Sequence, residues 1–180
     1  ILIISEVFMT HTLKLLLIFA FATGLYGCKA EDTEGAKLHF NQGFSYLGSL
    51  EVAASESQKE KLLDSAEKEF SLALEKDSLY FDAALNRGAV YVAQGKFNKA
   101  EIDYLKAKEM EPNNPDLNYN LACLYSITNR LDLGLESLDI ALANGFSDVN
   151  RLREDGDLNN LRSDKEFVTI LEKHKFFLGD

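Results

Sequence analysis

The pattern of small, aromatic and polar positions from Asp82 to Asn114 predicts two amphipathic helices joined by a turn centred on a glycine. The positions that carry this pattern are Gly88, Tyr91, Gly95, Phe97, Ala100, Tyr104, Ala107 and Pro112. Similar residues return one period later, at Ala122, Tyr125, Asn129, Leu131, Gly134, Leu138 and Ala141. Ala73, Ala107 and Ala141 recur at one constant interval, so the chain is predicted to repeat one helix–turn–helix unit.

Turn and capping residues indicate where the repeated helices begin and end. Gly95 suits the left-handed conformation that closes a helix. Asn98, with Glu101 three positions later, predicts a cap for the helix that follows. The next unit opens at Asn114–Asp116, with a capping side chain, a proline at the first helical position and an acid in the first turn. The lack of a side chain at Gly88 predicts that two helices approach closely there.

An earlier stretch, beginning near Glu34, carries the same pattern with an insertion. The interval from Gly43 to Ala66 exceeds the interval from Gly88 to Ala100 by about 11 residues, which is the length of three turns of α-helix. The helices can therefore lengthen without rotating their buried faces. The added stretch lies within GSLEVAASESQKEKLL, which contains no proline. This composition favours longer helices over a flexible loop.

These residues at this spacing resemble the tetratricopeptide repeat (TPR), a helix–turn–helix unit of about 34 residues. The resemblance implies an all-α fold, a right-handed α-solenoid of three repeats of which the first is extended. The rest of the chain is too short for a fourth repeat, and it resembles the D-L-x-x-L-R element and helix that often follow the last repeat. Because a solenoid needs a terminal cap with a polar outer face, we expect capping there. The expected boundaries are 34–79, 80–113 and 114–147 for the repeats and 148–180 for the cap.

The same C-terminal segment also has the spacing of a calcium-binding loop. The candidate ligands are Asp155, Asp157, Asn159 and Glu166, at positions 1, 3, 5 and 12 of an EF-hand-like loop. Arg162 stands at position 8, where an aliphatic residue is usual. A capping segment explains the acidic spacing equally well, so calcium is the weaker interpretation, and we predict no cofactor and no metal.

The stretch 1–27 resembles a secretion signal and is set apart from the fold. Met9 is the expected start, followed by a polar region and an apolar run from Leu15 to Ala22. Leu25–Cys28 resembles the box at which bacterial lipoproteins are cut before the cysteine, which implies a lipid on Cys28. An ordinary cleaved signal and an uncleaved anchor are the alternatives. Residues 28–33 would then form a short tether, which holds the body near a membrane of the cell envelope, facing the periplasm or the exterior.

The resemblance places the functional surface on the concave face, which the first helix of each repeat lines. The groove positions are Phe40, Phe44 and Leu47 in the first repeat, Leu85, Asn86, Ala89 and Val92 in the second, and Tyr119, Asn120, Cys123 and Ser126 in the third. In peptide-binding relatives, residues at the positions of Asn86 and Asn120 bind the ligand backbone. Relatives that clamp a carboxylate have Lys and Asn at the positions of Phe40 and Phe44, so we exclude carboxylate clamping. The apolar lining either binds a peptide or packs against a segment of the protein itself.

Composition and motifs narrow the function further. The formal net charge of −10 argues against a nucleic-acid partner, because phosphate binding needs clustered Lys and Arg. The chain has no H-E-x-x-H, no G-x-S-x-G and no phosphate loop, so we predict that it is not an enzyme. If Cys28 carries lipid, Cys123 has no partner for a disulfide within the chain, and a buried apolar role is expected for it.

The sequence therefore predicts a lipid-anchored scaffold that docks another protein or peptide in an apolar groove, in envelope assembly or secretion. The main alternative is a structural lipoprotein that associates with its own kind as a homodimer. A calcium-responsive module is a distant alternative.

Overall fold

The structure is a computed structural model that describes residues 32–176. The predicted signal peptide, the predicted lipidation site at Cys28 and the last four residues lie outside this range. Within it, the regular structure is entirely helical. The α-helices are α1 (Thr33–Gly48), α2 (Glu56–Lys76), α3 (Phe81–Ala93), α4 (Phe97–Met110), α5 (Pro115–Ile127), α6 (Leu131–Ala143), α7 (Val149–Glu154), α8 (Asn159–Arg162) and α9 (Lys165–Lys173), with 3-10 helices at Leu50–Val52 and Gly156–Leu158.

The first six helices form three successive pairs that pack as a solenoid. Each first helix packs against its second helix, and the second helix also packs against the first helix of the next pair. The first helices α1, α3 and α5 contact one another in order, so they line one common face. This arrangement confirms the predicted all-α repeat architecture.

The first pair is extended, as the insertion predicts. Helix α1 has 16 residues and α2 has 21, whereas α3 has 13 and α4 has 14. Most of the added residues therefore lengthen the two helices, and the others form the connection that includes Leu50–Val52. Ser55 caps α2 by accepting a hydrogen bond from the backbone N–H of Gln58.

Small residues mark the closest approach of paired helices. A Cβ atom added to Gly88 in α3 would lie 2.4 Å from a ring carbon of Tyr104 in α4. In the first pair, a Cβ atom added to Gly43 would lie 2.7 Å from the ring of Phe70. Both aromatic side chains are buried, so each ring occupies the space that a larger side chain would need.

The turns within the second and third pairs repeat the same backbone conformation. Gly95 has φ 70°, and Asn129, at the equivalent position of the next pair, has φ 57°. Asn114 caps α5 as predicted, with its side-chain oxygen accepting from the N–H of Leu117 at 3.0 Å. The predicted cap at Asn98 is wrong, because α4 begins at Phe97 and Asn98 lies inside its first turn. Lys96, at the cap position, makes no side-chain cap.

One polar contact is repeated between successive units. The Lys96 ammonium donates to Glu67 at 2.7 Å, and the Arg130 guanidinium donates to Glu101 at 2.7 Å. Both bases also lie over a tyrosine ring, Lys96 over Tyr91 and Arg130 over Tyr125. All three positions advance by one repeat period, so this contact ties the second helix of one pair to the following pair twice.

The C-terminal segment covers the last pair. Leu152, Leu158 and Leu161 are fully buried, and Phe167 of α9 joins the same core. The 3-10 helix Gly156–Leu158 and α8 pack on α5, while α9 packs on α6. None of the helices in residues 32–176 has the length and the apolar run that a membrane crossing requires.

Candidate functional site: the concave groove

Helix α1 supplies the most exposed part of the predicted groove. Phe44 is 57% exposed, and its ring centroid lies 6.1 Å from that of Phe40, with the two ring planes inclined at 28°. Phe40 is half-buried, because it also contacts Phe70 of α2 and Tyr80 at the start of α3. Leu47, the third predicted position, is also half-buried. Phe40 therefore holds α1 against the core, whereas Phe44 extends this aromatic surface into solvent.

Helix α3 supplies a partly exposed, mostly apolar continuation. Leu85, Ala89 and Val92 are all half-buried. Asn86 is half-buried as well, and its side-chain N–H donates to the backbone carbonyl of Asp82 at 2.8 Å. The Asn86 side-chain oxygen has no such bond in the described structure, so it is the atom that can accept from a ligand backbone.

Helix α5 differs, because the C-terminal segment covers its predicted groove positions. The Tyr119 ring is fully buried, stacks on Phe146 at 4.1 Å and lies under the Arg151 guanidinium at 4.2 Å. The Tyr119 hydroxyl donates to the Asp155 carboxylate at 2.8 Å. Burial raises the pKa of Tyr119 well above its ordinary value, which keeps the hydroxyl a donor.

Cys123 and Ser126 are covered by the same segment. Burial, reinforced by the nearby Asp155 carboxylate, raises the pKa of the Cys123 thiol, so it is unreactive at neutral pH. Asn160 of α8 donates to the Ser126 carbonyl at 2.8 Å. Only Asn120 stays partly exposed among the predicted groove positions of this helix. The groove positions at Tyr119 and Ser126 are therefore closed to a partner, and on α5 only Asn120 and the edge of Cys123 border the open groove.

The similarity to known protein families falls on the second and third helix pairs. Two family models, each described as a tetratricopeptide repeat, match residues 81–114 and 103–136. Residues 81–136 therefore match the tetratricopeptide repeat. A solved TPR protein from Thermus thermophilus has a TM-score of 0.60 with this structure, at 23% identity over 89% of this chain and 76% of that one. At this identity the likeness shows the fold alone.

One curated relative is also similar in sequence. A chloroplastic protein of Arabidopsis thaliana is 33% identical over 92 residues, which is 49% of this chain. The chain covers only 28% of the length of that relative. TPR units are generally modules for protein–protein interaction, and the matches over residues 81–136 suggest this class of function.

A small pocket lies where the open TPR groove meets the C-terminal segment. Its volume is about 200 Å³, and its walls include Ala89, Val92, Asn120, Cys123, Arg151, Asp155 and Asp157. Asp157 is exposed at the edge of this pocket, and partial desolvation together with the nearby Asp155 carboxylate raises its pKa. Phe146 and Arg151 had no assigned role in the sequence-based prediction, because the repeat pattern gives no groove position to either of them.

The proposed calcium ligands do not converge. Asp155 accepts from Tyr119 with one oxygen and from the N–H of Asp157 with the other. The Asn159 side-chain oxygen accepts from Arg162 at 2.6 Å, and Glu166 lies in the first turn of α9. In residues 32–176 no group of three or more His, Cys, Asp or Glu side chains is placed to hold a metal ion. The described structure therefore gives the calcium alternative no support.

Proposed function

We propose that this protein is a membrane-anchored scaffold that docks a segment of another protein in the concave groove formed by α1 and α3. The observation that carries the proposal is Phe44, a large aromatic side chain that is more than half exposed beside Phe40. Phe40 packs against the same core cluster as Leu85 and Val92 of α3. A large exposed apolar side chain that continues such a cluster into solvent is typical of a site that a partner covers.

The shape of the open groove favours a single peptide segment as the docked element. Helices α1 and α3 contact each other along one face, and the C-terminal segment closes the groove beside α5. The Asn86 side-chain oxygen lies among the apolar positions and offers an acceptor for the backbone of an extended or helical peptide. The groove thus combines apolar contacts with one polar contact that does not depend on peptide sequence.

The membrane anchor is the part of the proposal that rests on sequence alone. A lipid on Cys28 and a tether of about five residues, which spans at most about 18 Å, would keep the groove close to the membrane surface. This location fits a role in envelope assembly or secretion. Cys28→Ala should move the protein from the membrane fraction to the soluble fraction, and a protein that stays in the membrane would contradict lipid anchoring.

Photo-crosslinking in cells tests the docking surface. A benzoylphenylalanine at position 44 of the full chain should give a discrete adduct with another protein. The matched control places the same residue at Leu38, which is 69% exposed on the same helix but is not a groove position. An adduct only from position 44 supports docking, whereas equal adducts from both positions, or none, would contradict it.

The size of the adduct separates the proposal from its alternative. A self-associating lipoprotein would give an adduct of twice the mass of the chain, containing this protein alone. An adduct that contains a different protein would establish a foreign partner. Phe44→Glu should then abolish co-purification of that partner while leaving the far-UV circular dichroism unchanged, because Phe44 contributes little to the core.

A further inference from the structure

We propose that the segment docked in this groove carries a lysine or arginine, and that the Asp157 carboxylate binds its cation at the closed end of the groove. This inference rests on the proposed function and specifies the chemistry of the partner. The observations that support it are the charges in the pocket that joins α3 to the C-terminal segment.

The pocket contains two carboxylates, and in the described chain only that of Asp155 accepts hydrogen bonds from other residues. Asp155 accepts from the Tyr119 hydroxyl and from the N–H of Asp157. The Asp157 carboxylate makes no hydrogen bond and no salt bridge with any residue between 32 and 176, although it lines the pocket. A carboxylate beside another carboxylate and apolar walls gains from a cation that enters the same space.

Arg151 does not neutralise this pair. Its guanidinium also lines the pocket, but it lies over the rings of Tyr119 and Phe146 and donates to the Asn120 side-chain oxygen at 3.5 Å. No salt bridge joins Arg151 to Asp155 or Asp157 in the described structure. Its charge lowers the pKa of Asp157 less than burial and the neighbouring Asp155 raise it. The closed end of the groove therefore keeps a negative charge that the described part of the protein does not pair.

The size and lining of the pocket fit one long basic side chain. Pockets that enclose whole small ligands are typically about 300–1,000 Å³, whereas this one is about 200 Å³. Ala89 and Val92 offer an apolar wall for the methylene groups of a lysine or arginine, whose charged end would reach Asp157. The net charge of −10 would also attract a basic segment at long range. The partner segment is thus expected to combine apolar side chains for α1 with a basic side chain for this pocket.

Selection from a random dodecapeptide library displayed on phage tests this inference. The full chain, purified in detergent, is compared with Asp157→Asn, with Phe44→Glu and with Glu172→Gln, an exposed acid on α9 outside the groove. The wild type and Glu172→Gln should enrich apolar peptides that carry Lys or Arg. Asp157→Asn should enrich apolar peptides without the basic preference. For one selected peptide, replacing its Lys by norleucine should weaken binding to the wild type about fivefold and leave binding to Asp157→Asn unchanged.

The remaining outcomes of the selection would overturn either this inference or the proposed function. If the wild type selects apolar peptides without a basic residue, or if Asp157→Asn keeps the preference for a basic residue, this inference is overturned. The proposed docking of a peptide in the groove would still stand. A basic preference that Glu172→Gln also loses would assign it to overall acidity and overturn the inference. Failure of the wild type to enrich any peptide above Phe44→Glu would overturn the proposed function as well. Equal melting temperatures of the four proteins exclude misfolding as the cause.

Discussion

Replacing Gly88 by alanine tests the close approach that defines the second repeat. The added Cβ atom would lie 2.4 Å from one ring carbon of Tyr104 and 2.6 Å from the next. Tyr104 is 1% exposed, so its ring has no solvent-filled space into which it can move. We therefore expect α3 and α4 to separate slightly, and the protein to lose stability even though alanine favours the helix.

The magnitude follows from two opposing effects. Replacing glycine by alanine in a helix stabilises it by about 1 kcal/mol. Overpacking a core by one methyl group against a rigid ring costs about 1 to 3 kcal/mol, and we place this contact at the upper end because the ring is buried. The net loss should be about 1 to 2 kcal/mol, which lowers the melting temperature of a chain of this size by about 3 to 6 °C.

The third repeat indicates how the clash can be relieved. One period after Gly88 and Tyr104 the chain has Ala122 and Leu138, an alanine paired with a smaller, flexible side chain. The double variant Gly88→Ala, Tyr104→Leu should therefore be more stable than the sum of the single variants predicts, by at least about 0.5 kcal/mol. Tyr104→Leu alone should be destabilising, because it leaves a cavity above Gly88.

Urea unfolding monitored by far-UV circular dichroism measures all four proteins. Gly48→Ala is the control, because an added Cβ there meets no atom within 4 Å and only the helix propensity changes. Gly48→Ala should be neutral or slightly stabilising. The reasoning is refuted if Gly88→Ala is as stable as Gly48→Ala, or if the two substitutions in the double variant are simply additive.

Two further predictions concern ion pairs. Asp103 is 3% exposed and accepts two hydrogen bonds from Arg87, so Asp103→Asn should lower the free energy of unfolding in urea by about 2 to 3 kcal/mol. Glu56→Gln, which breaks an exposed ion pair with Lys59, should lower it by less than about 0.5 kcal/mol. Equal losses from the two substitutions would contradict the argument from burial. A hydrogen bond from Lys173, followed by one from His174, lowers the pKa of Asp139, so this carboxylate stabilises the fold above its ordinary pKa and loses that effect as pH falls through its lowered pKa. The difference in melting temperature between wild type and Asp139→Asn should be largest above about pH 4 and should disappear at lower pH. A difference that grows on acidification would contradict a stabilising role for the ionised carboxylate.

The repeats could be predicted from the sequence because their physical constraints are local and periodic. A glycine at position 88 faces Tyr104, and the residues with positive φ, Gly95 and Asn129, close the first helices of their pairs. The absence of a cap at Asn98 could not be predicted, because it depends on where α4 begins. The carbonyl of Lys96 accepts from the N–H of Lys99 and of Ala100, so the helix starts before Asn98.

The candidate site was only partly predictable, because it depends on a segment that follows the repeats. The period indicates that Phe44 and Tyr119 occupy equivalent first helices, yet one is 57% exposed and the other is fully buried. The difference comes from residues far beyond Tyr119 in the sequence, Arg151 and Asp155 among them, which return to α5 and cover it. No local pattern states on which face of α5 that segment packs.

The C-terminal segment is therefore best regarded as a fixed wall of the groove rather than a competitor for it. Leu152, Leu158 and Leu161 are each fully buried, and burying one such side chain contributes about 1.5 to 3 kcal/mol. A docking peptide would have to offset the loss of all three to displace the segment, which exceeds what one short peptide gains from an apolar groove. The segment that caps the solenoid also carries Asp157 to the closed end of the groove, so under the proposed preference for a basic side chain a change in this cap would alter partner choice while the repeats stay unchanged.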